Sequence, residues 1–156
     1  MFPVAKQSSR PDDGRVVSNL ICQALSGRNV TIYGDGTQTR SFCYVSDMVD
    51  GLIRLMESET EALEPINLGN PEERSVNELL DAVLEIVGRD VEVSYLPLPM
   101  DDPRRRKPDI ARATALLDWQ PQMSLVKGLA RTCAWFAEEI CSDNPASSGP
   151  VSVAAE

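Results

Sequence analysis

The chain has 156 residues, 42% apolar and 25% charged, enough to bury a core in one domain without a disulfide scaffold. Its 15 Lys and Arg stand against 24 Asp and Glu, and the net charge of −9 argues against a surface built for nucleic-acid phosphates. Histidine is absent, which removes imidazole bases, the commonest metal ligand and every His-based triad, so chemistry falls to Tyr, Lys, carboxylates or a cofactor.

Past Gly14 the run VVSNLICQAL sets Val16, Val17, Leu20, Ile21, Ala24 and Leu25 on one helical face, and Ser26-Gly27 ends it. Val30 to Tyr33 is β-branched and aromatic and closes on Gly34-Asp35-Gly36, the pattern of a short strand entering a tight turn. Ser41 to Val45 alternates as a second strand. Ser46 or Asp47 is placed to cap the next helix, whose apolar face carries Met48, Val49, Leu52, Ile53 and Met56.

PINLGN reads as a buried strand, with Asn67 and Asn70 at the end where a parallel sheet presents its ligand-facing edge. Ser75 and Glu78 make a capping-box pattern ahead of Val76, Leu79, Leu80, Val83, Leu84 and Val87, and Gly88 stops that helix. Val91 to Leu96 is a further strand. Pro97, Pro99 and Pro103 then interrupt regular structure before Arg104, Arg105, Arg106 and Lys107. Asp109 caps a short helix through Leu117, Trp119 and Pro121 turn the chain, and Ser124 opens a last helix buried through Leu125, Leu129, Cys133, Phe136 and Ile140.

Residues 1–10 read as an unanchored start and 141–156 as a disordered tail, leaving 11–140 as the folded unit. The order is mixed α/β, with a short sheet that begins without its usual first strands. Cys22, Cys43, Cys133 and Cys141 show no C-x-x-C spacing and three lie in apolar runs, which predicts a reducing, cytoplasmic setting with neither zinc nor disulfides. No apolar stretch reaches the roughly 18 residues of a membrane span, and the start lacks a signal-peptide pattern. No membrane partner is expected.

Several residues invite chemical roles and most have a plainer alternative. Arg104 to Lys107 fit a two-pronged grip on a diphosphate, or a solvated loop balancing Asp101, Asp102 and Asp109. Arg40, between the glycine turn and SFCYV, fits the mouth of a cleft. Tyr33 fits either a platform for a planar base or the edge of a core. The GDG triplet lacks the spacing of a phosphate loop and reads as turn chemistry, and Asp47 and Asp50 read as capping and solvation.

PDDGRVVSNLICQAL, TIYGDGTQTRSFCYVSDMVDGLIRLM, INLGNPEERSVNELL and DDPRRRKPDIARATALLDWQPQMSLVKGL together resemble the carboxyl-terminal half of UDP-glucuronate decarboxylases, also called UDP-xylose synthases. These belong to the extended short-chain dehydrogenase/reductase group, and the likeness runs from Pro11 to about Ile140. DDGRVVSN combined with GDGTQTRSFCYV carries most of its specificity. UDP-sugar epimerases and dTDP-sugar dehydratases share the YGDG and R-x-x-D features without DDGRVVSN.

The resemblance implies an α/β fold comprising an incomplete Rossmann-type sheet and a small substrate-binding α/β domain. In the family, bound NAD oxidises the sugar at C4, the keto acid loses carbon dioxide, and the reduced cofactor returns its hydride to give UDP-xylose. By the same resemblance Arg15 reaches the cofactor and the helix start near Val17 approaches the nucleotide through its backbone. Thr31 and Tyr33 hold the uracil, and Arg40 and Arg106 clamp the diphosphate of UDP-glucuronate from two sides. Asn67 is a support, and Arg104, Arg105 and Lys107 supply supporting charge.

The family's Gly-x-x-Gly-x-x-Gly turn and Tyr-x-x-x-Lys pair do not occur in this sequence: Tyr33, Tyr44 and Tyr95 are followed four positions on by Thr37, Met48 and Pro99. MFPVAKQSSR stands where the family has a strand and a glycine-proline turn. The expectation is a truncated or late-starting reading frame that binds a UDP-sugar without turning it over. Uncovered apolar faces and an open sheet edge are expected with it. The alternative is a non-catalytic binding or regulatory module that associates with a second copy or a full-length relative, or a fragment of a UDP-sugar epimerase or dTDP-sugar dehydratase.

Overall fold

A computed structural model describes residues 15–59, 64–98 and 106–143, with side chains through Glu139. The segments read as the unanchored start, Arg104, Arg105 and residues 144–156 of the tail lie outside the described residues. The helix expected past Gly14 is α1, Val16–Leu25, and it buries Leu20, Ile21, Ala24 and Leu25. β1, Val30–Tyr33, pairs in parallel with β4, Val93–Leu96, so that Val30 faces Val93 and Tyr33 faces Leu96. β4 starts two residues later than the apolar run Val91 to Leu96 implies, because its ladder begins only where β1 offers a partner.

Helix α3, Val76–Val87, opens with both halves of the predicted capping box, Ser75 Oγ accepting from the Glu78 amide and the Glu78 carboxylate from the Ser75 amide. Gly88 ends it in the left-handed conformation that an L side chain resists. The last helix, α5, is Leu125–Asp143, three residues into the stretch read as tail. Leu129 and Cys133 on α5 join Leu20, Ile21, Val30, Ile32, Leu79 and Val83 in the main core, where α1, α3 and α5 pack over β1. Each fully buried aliphatic chain of this kind contributes about 1.5–3 kcal/mol.

The outward edge of β1 is closed by side chains rather than by another strand. Val30 and Gly34 donate toward β4, so Thr31 and Tyr33 turn their backbone groups the other way. There the Thr31 amide donates to Gln23 Oε1 at 2.9 Å, and Gln38 Nε2 donates to the Tyr33 carbonyl at 2.6 Å. The open edge expected from the sequence is blunted on this side.

Three sequence expectations are corrected. The second strand is β2, Thr39–Ser41, not Ser41 to Val45, because its antiparallel partner β3, Glu73–Ser75, reaches only that far. Helix α2, Val45–Glu57, already begins where that strand was expected to end, with Tyr44 at the N-cap and no side-chain cap from Ser46 or Asp47. Residues 65–68 of PINLGN form no strand, having no strand partner among the described residues. Ile66 and Leu68 instead pack against the cluster of Ala113, Leu117 and Trp119. The apolar face predicted for α2 is also largely uncovered: Val49, Leu52 and Ile53 are about half exposed and Met56 is 85% exposed.

A second, smaller core gathers Ala113 and Leu117 of α4 (Ala111–Leu117) with Trp119, against Leu55 of α2. Asp109 accepts from the Ala111 amide at 2.9 Å, which satisfies a free donor at the start of α4. No described helix is long and apolar enough to cross a membrane.

Candidate functional site

The glycine turn between β1 and β2 is locked from behind by α3. Gly34 and Gly36 both hold positive φ, at 80° and 76°. The Asn77 amide donates to the Gly36 carbonyl, the Val76 amide to the Gln38 carbonyl, and Asn77 Nδ2 to the Asp35 carbonyl at 3.1 Å. A Cβ at Gly36 would fall 1.9 Å from Asn77 Oδ1, so the turn and the asparagine fit only because position 36 has no side chain. Asp35 Oδ1 accepts from both the amide and the hydroxyl of Thr37.

This lock fixes Tyr33 and Arg40 on either side of the turn. Thr31 and Tyr33 are two apart on β1 and share one face; Thr31 is half-buried, and the Tyr33 ring is 49% exposed at the carboxyl end of a parallel strand. Ligands of α/β sheets bind at that end. Arg40 is half-buried on β2 and donates Nη1 to the Thr39 carbonyl at 2.7 Å.

Arg106 is distant in sequence and close in space. Its carbonyl accepts from Ser41 Oγ at 3.1 Å, one residue beyond Arg40. Neighbouring strand residues point to opposite faces, so the Arg106 main chain meets β2 on the face away from the Arg40 side chain. Asn67 Nδ2 donates to the Asp109 carbonyl at 3.3 Å and steadies the chain just past Arg106. Lys107, Asp109 and Pro71 line a small cavity of about 250 Å³, below the roughly 300–1,000 Å³ usual for a ligand pocket.

Arg15 and Val17 stand apart from this group at the start of α1, where Arg15 is the N-cap and its carbonyl accepts from the Asn19 amide. The Val17 side chain packs toward the main core. The first amides of a helix have no acceptor within it, which leaves the backbone at Val17 available to an incoming group. Gln23 joins this helix to Thr31.

Three residues of the region were given no site role from sequence. Asp47 is buried, and its carboxylate accepts from the Gln122 and Met123 amides, while Trp119 Nε1 donates to its carbonyl. Arg74 lies directly opposite Arg40 in the β2–β3 register. Asn77 locks the turn. None of these carries a local sequence signal, since each acts through a partner far along the chain.

Burial pushes the Cys43 thiol up to about 11, with the nearby Asp47 carboxylate adding to the effect, and burial alone pushes Cys133 to about 11. Cys22, Cys43 and Cys133 are unpaired thiols, and no cluster of metal-ligating side chains occurs among the described residues.

Residues 4–69 match the NAD dependent epimerase/dehydratase family. The chain is 49% identical over 129 residues to UDP-glucuronic acid decarboxylase 1 of Xenopus tropicalis, covering 83% of this chain and 30% of that protein. It is 54% identical over 118 residues to UDP-glucuronic acid decarboxylase 3 of Arabidopsis thaliana, covering 76% of this chain and 34% of that protein. The chain thus spans about a third of the length of these curated relatives.

Among solved structures it aligns with a UDP-glucuronic acid 4-epimerase from Bacillus cereus in complex with UDP-glucuronic acid and NAD. The TM-score is 0.78 at 31% identity, over 83% of this chain and 41% of that one. A UDP-glucose 4-epimerase from Thermotoga maritima with UDP-glucose aligns with TM-score 0.78 at 32% identity, over 85% and 42%.

The described residues do not by themselves form a site for NAD. Their glycine turn leads into a strand rather than a helix, so it presents no row of free helix amides to a phosphate. What they share with these proteins is the mixed α/β frame and its sequence over most of the chain. The chain is thus similar to the NAD dependent epimerase/dehydratase family over residues 4–69 and to proteins named UDP-glucuronic acid decarboxylase over most of its length.

Proposed function

We propose that this chain is the UDP-sugar-binding portion of a UDP-glucuronate decarboxylase, the enzyme that converts UDP-glucuronate to UDP-xylose and carbon dioxide with NAD. The observation that carries this reading is the Ser41 Oγ to Arg106 carbonyl bond, which brings two arginine-bearing segments together from 65 residues apart. Identity of 49% and 54% to proteins named as decarboxylases, against 31% and 32% to the epimerases, favours decarboxylation over epimerisation.

Arg40 on β2 and Arg106 on the segment that Ser41 holds beside it clamp the diphosphate from two sides, each with a fixed fork of donors that matches phosphate oxygens. Tyr33 lies flat against the uracil, with Thr31 beside it on the same face. The backbone at Val17 approaches the nucleotide and Arg15 reaches toward NAD, which supplies the redox chemistry when bound. The sequence holds no Tyr-x-x-x-Lys pair, so the chain as given binds without turning over. The reading puts it in the cytoplasm, where unpaired thiols such as Cys22, Cys43 and Cys133 are stable.

A second reading is supported by the uncovered row Val49, Leu52, Ile53 and Met56 on α2: a module that associates with a full-length relative or a second copy. Light-scattering mass, alone and mixed with a full-length decarboxylase, separates it from a free monomer.

The main reading is tested by titrating the chain with UDP and with uridine, then incubating it with NAD and UDP-glucuronate. UDP binds, Arg40→Ala and Arg106→Ala each weaken UDP about tenfold or more while leaving uridine unchanged, and no UDP-xylose forms. Absence of UDP binding overturns the binding assignment. Sustained UDP-xylose formation overturns the assignment as a portion that cannot act alone.

A further inference from the structure

Arg74 and Arg40 are a directly opposed pair in the antiparallel β2–β3 ladder, so both side chains leave the sheet on one face. Like charges in that position repel, and natural pairs tend to avoid it unless anions lie between or beside them. Two carboxylates answer part of the Arg74 charge: Nη2 pairs with Glu72, and Nη1 lies 3.6 Å from Glu78 Oε1. Both carboxylates are at least half exposed, and ion pairs in such settings hold weakly and exchange with solvent. Glu78 is in addition committed to the Ser75 amide and hydroxyl. The third nitrogen, Arg74 Nε, is buried with no hydrogen-bond partner. A buried N–H without an acceptor carries a free-energy cost that a ligand oxygen would relieve.

We propose that Arg74 is a third guanidinium of the diphosphate site, exchanging Glu72 for a phosphate oxygen when a nucleoside diphosphate lies against Arg40. The inference rests on the assignment of Arg40 to the diphosphate and extends the site by one residue across the strand pair. Arg74 offers Nε and one Nη side by side, the geometry that takes two oxygens of one phosphate group. Glu72 is then an internal competitor: it holds the guanidinium in place in the free protein and is displaced on binding.

The test titrates the chain with UDP and with uridine, following amide chemical shifts so that weak binding is measurable. R74A is expected to weaken UDP about tenfold and leave uridine unchanged. R74K, which keeps the charge and loses the fork, falls between R74A and the parent. E72Q, which removes the competitor, tightens UDP about two- to threefold. R74A binding UDP as the parent does overturns the inference. So does a loss of UDP and uridine together, or E72Q weakening UDP as R74A does, since either marks a structural ion pair. A parent chain that binds no UDP overturns the Arg40 assignment and this extension with it. UDP binding that is lost in R40A but kept in R74A overturns the extension alone.

Discussion

Asp47 and Met123 are joined by a 2.8 Å hydrogen bond from the Met123 amide to Asp47 Oδ2, and the Gln122 amide donates to the same oxygen at 3.0 Å. One carboxylate in the first turn of α2 thus satisfies two amides just ahead of α5, and the Trp119 indole closes the contact by donating to the Asp47 carbonyl at 3.0 Å. This staple links the small core around Trp119 to the loop that starts α5.

Asp47→Ala leaves two part-buried amides without their acceptor, at about 1–3 kcal/mol for each unsatisfied donor. The expected loss of unfolding stability is about 3 kcal/mol, whereas Asp47→Asn keeps an acceptor oxygen and loses about 1 kcal/mol. Urea titration at neutral pH measures both through the midpoint at constant slope. Equal midpoints for Asp47→Ala and the parent would remove the staple from the account.

Gly36 and Gly88 both hold positive φ, yet alanine does different harm at each. Around Gly88 a Cβ meets nothing within 4 Å, so Gly88→Ala carries only the backbone strain, about 1 kcal/mol. At Gly36 the same methyl drives into Asn77, which must give up its bond to the Asp35 carbonyl. Gly36→Ala is expected to lose at least twice as much stability, and Gly36→Ala with Asn77→Ala should recover part of it. Equal destabilisation at the two glycines contradicts the clash.

The Ser75 amide and hydroxyl hold the Glu78 carboxyl below its usual range, with Arg74 adding to the effect. A carboxylate whose folded pKa is depressed contributes stability above its unfolded pKa, and that contribution is lost as pH falls through the folded pKa. The stability difference between the parent and Glu78→Gln is therefore expected at pH 7 and should shrink below about pH 4. Denaturant midpoints at pH 7 and pH 3 supply the comparison. A gap that widens in acid runs against the sign of the shift.

Cys43 and Cys133 thiols near 11 are almost wholly protonated at pH 8, with a thiolate fraction of about one in a thousand. Residue-resolved alkylation by mass spectrometry should find both far slower to react in the native chain than in urea. Rapid native labelling of Cys133, which is fully buried, would place α5 elsewhere.

The arginines of the proposed site are named from the sequence through their neighbours: Arg40 in GDGTQTRSF and Arg106 in RRRKPD are carried by runs whose wording is specific. Helices α1, α3 and α5 were legible too, because a period of three and four, a capping box and a terminal glycine are local signals. Among the described residues the number and order of elements follow the sequence reading, but the third strand lies at Glu73–Ser75 and not in PINLGN. An apolar run states that a segment suits a sheet; whether it becomes a strand depends on a neighbour to bond with.

By itself the sequence determined the local architecture and the residue types available for binding: no imidazole, arginines at positions 40 and 106, a tyrosine before a glycine turn. Only the tertiary structure decided that Ser41 meets Arg106, that Arg74 faces Arg40, that Asn77 seats on Gly36 and that Asp47 turns inward rather than toward solvent. Helix periodicity and capping act over three or four residues and leave a trace in the chain. A hydrogen bond or a strand register joining residues 34 to 76 positions apart leaves none until the chain has folded and the groups must find partners or remain desolvated and unpaired.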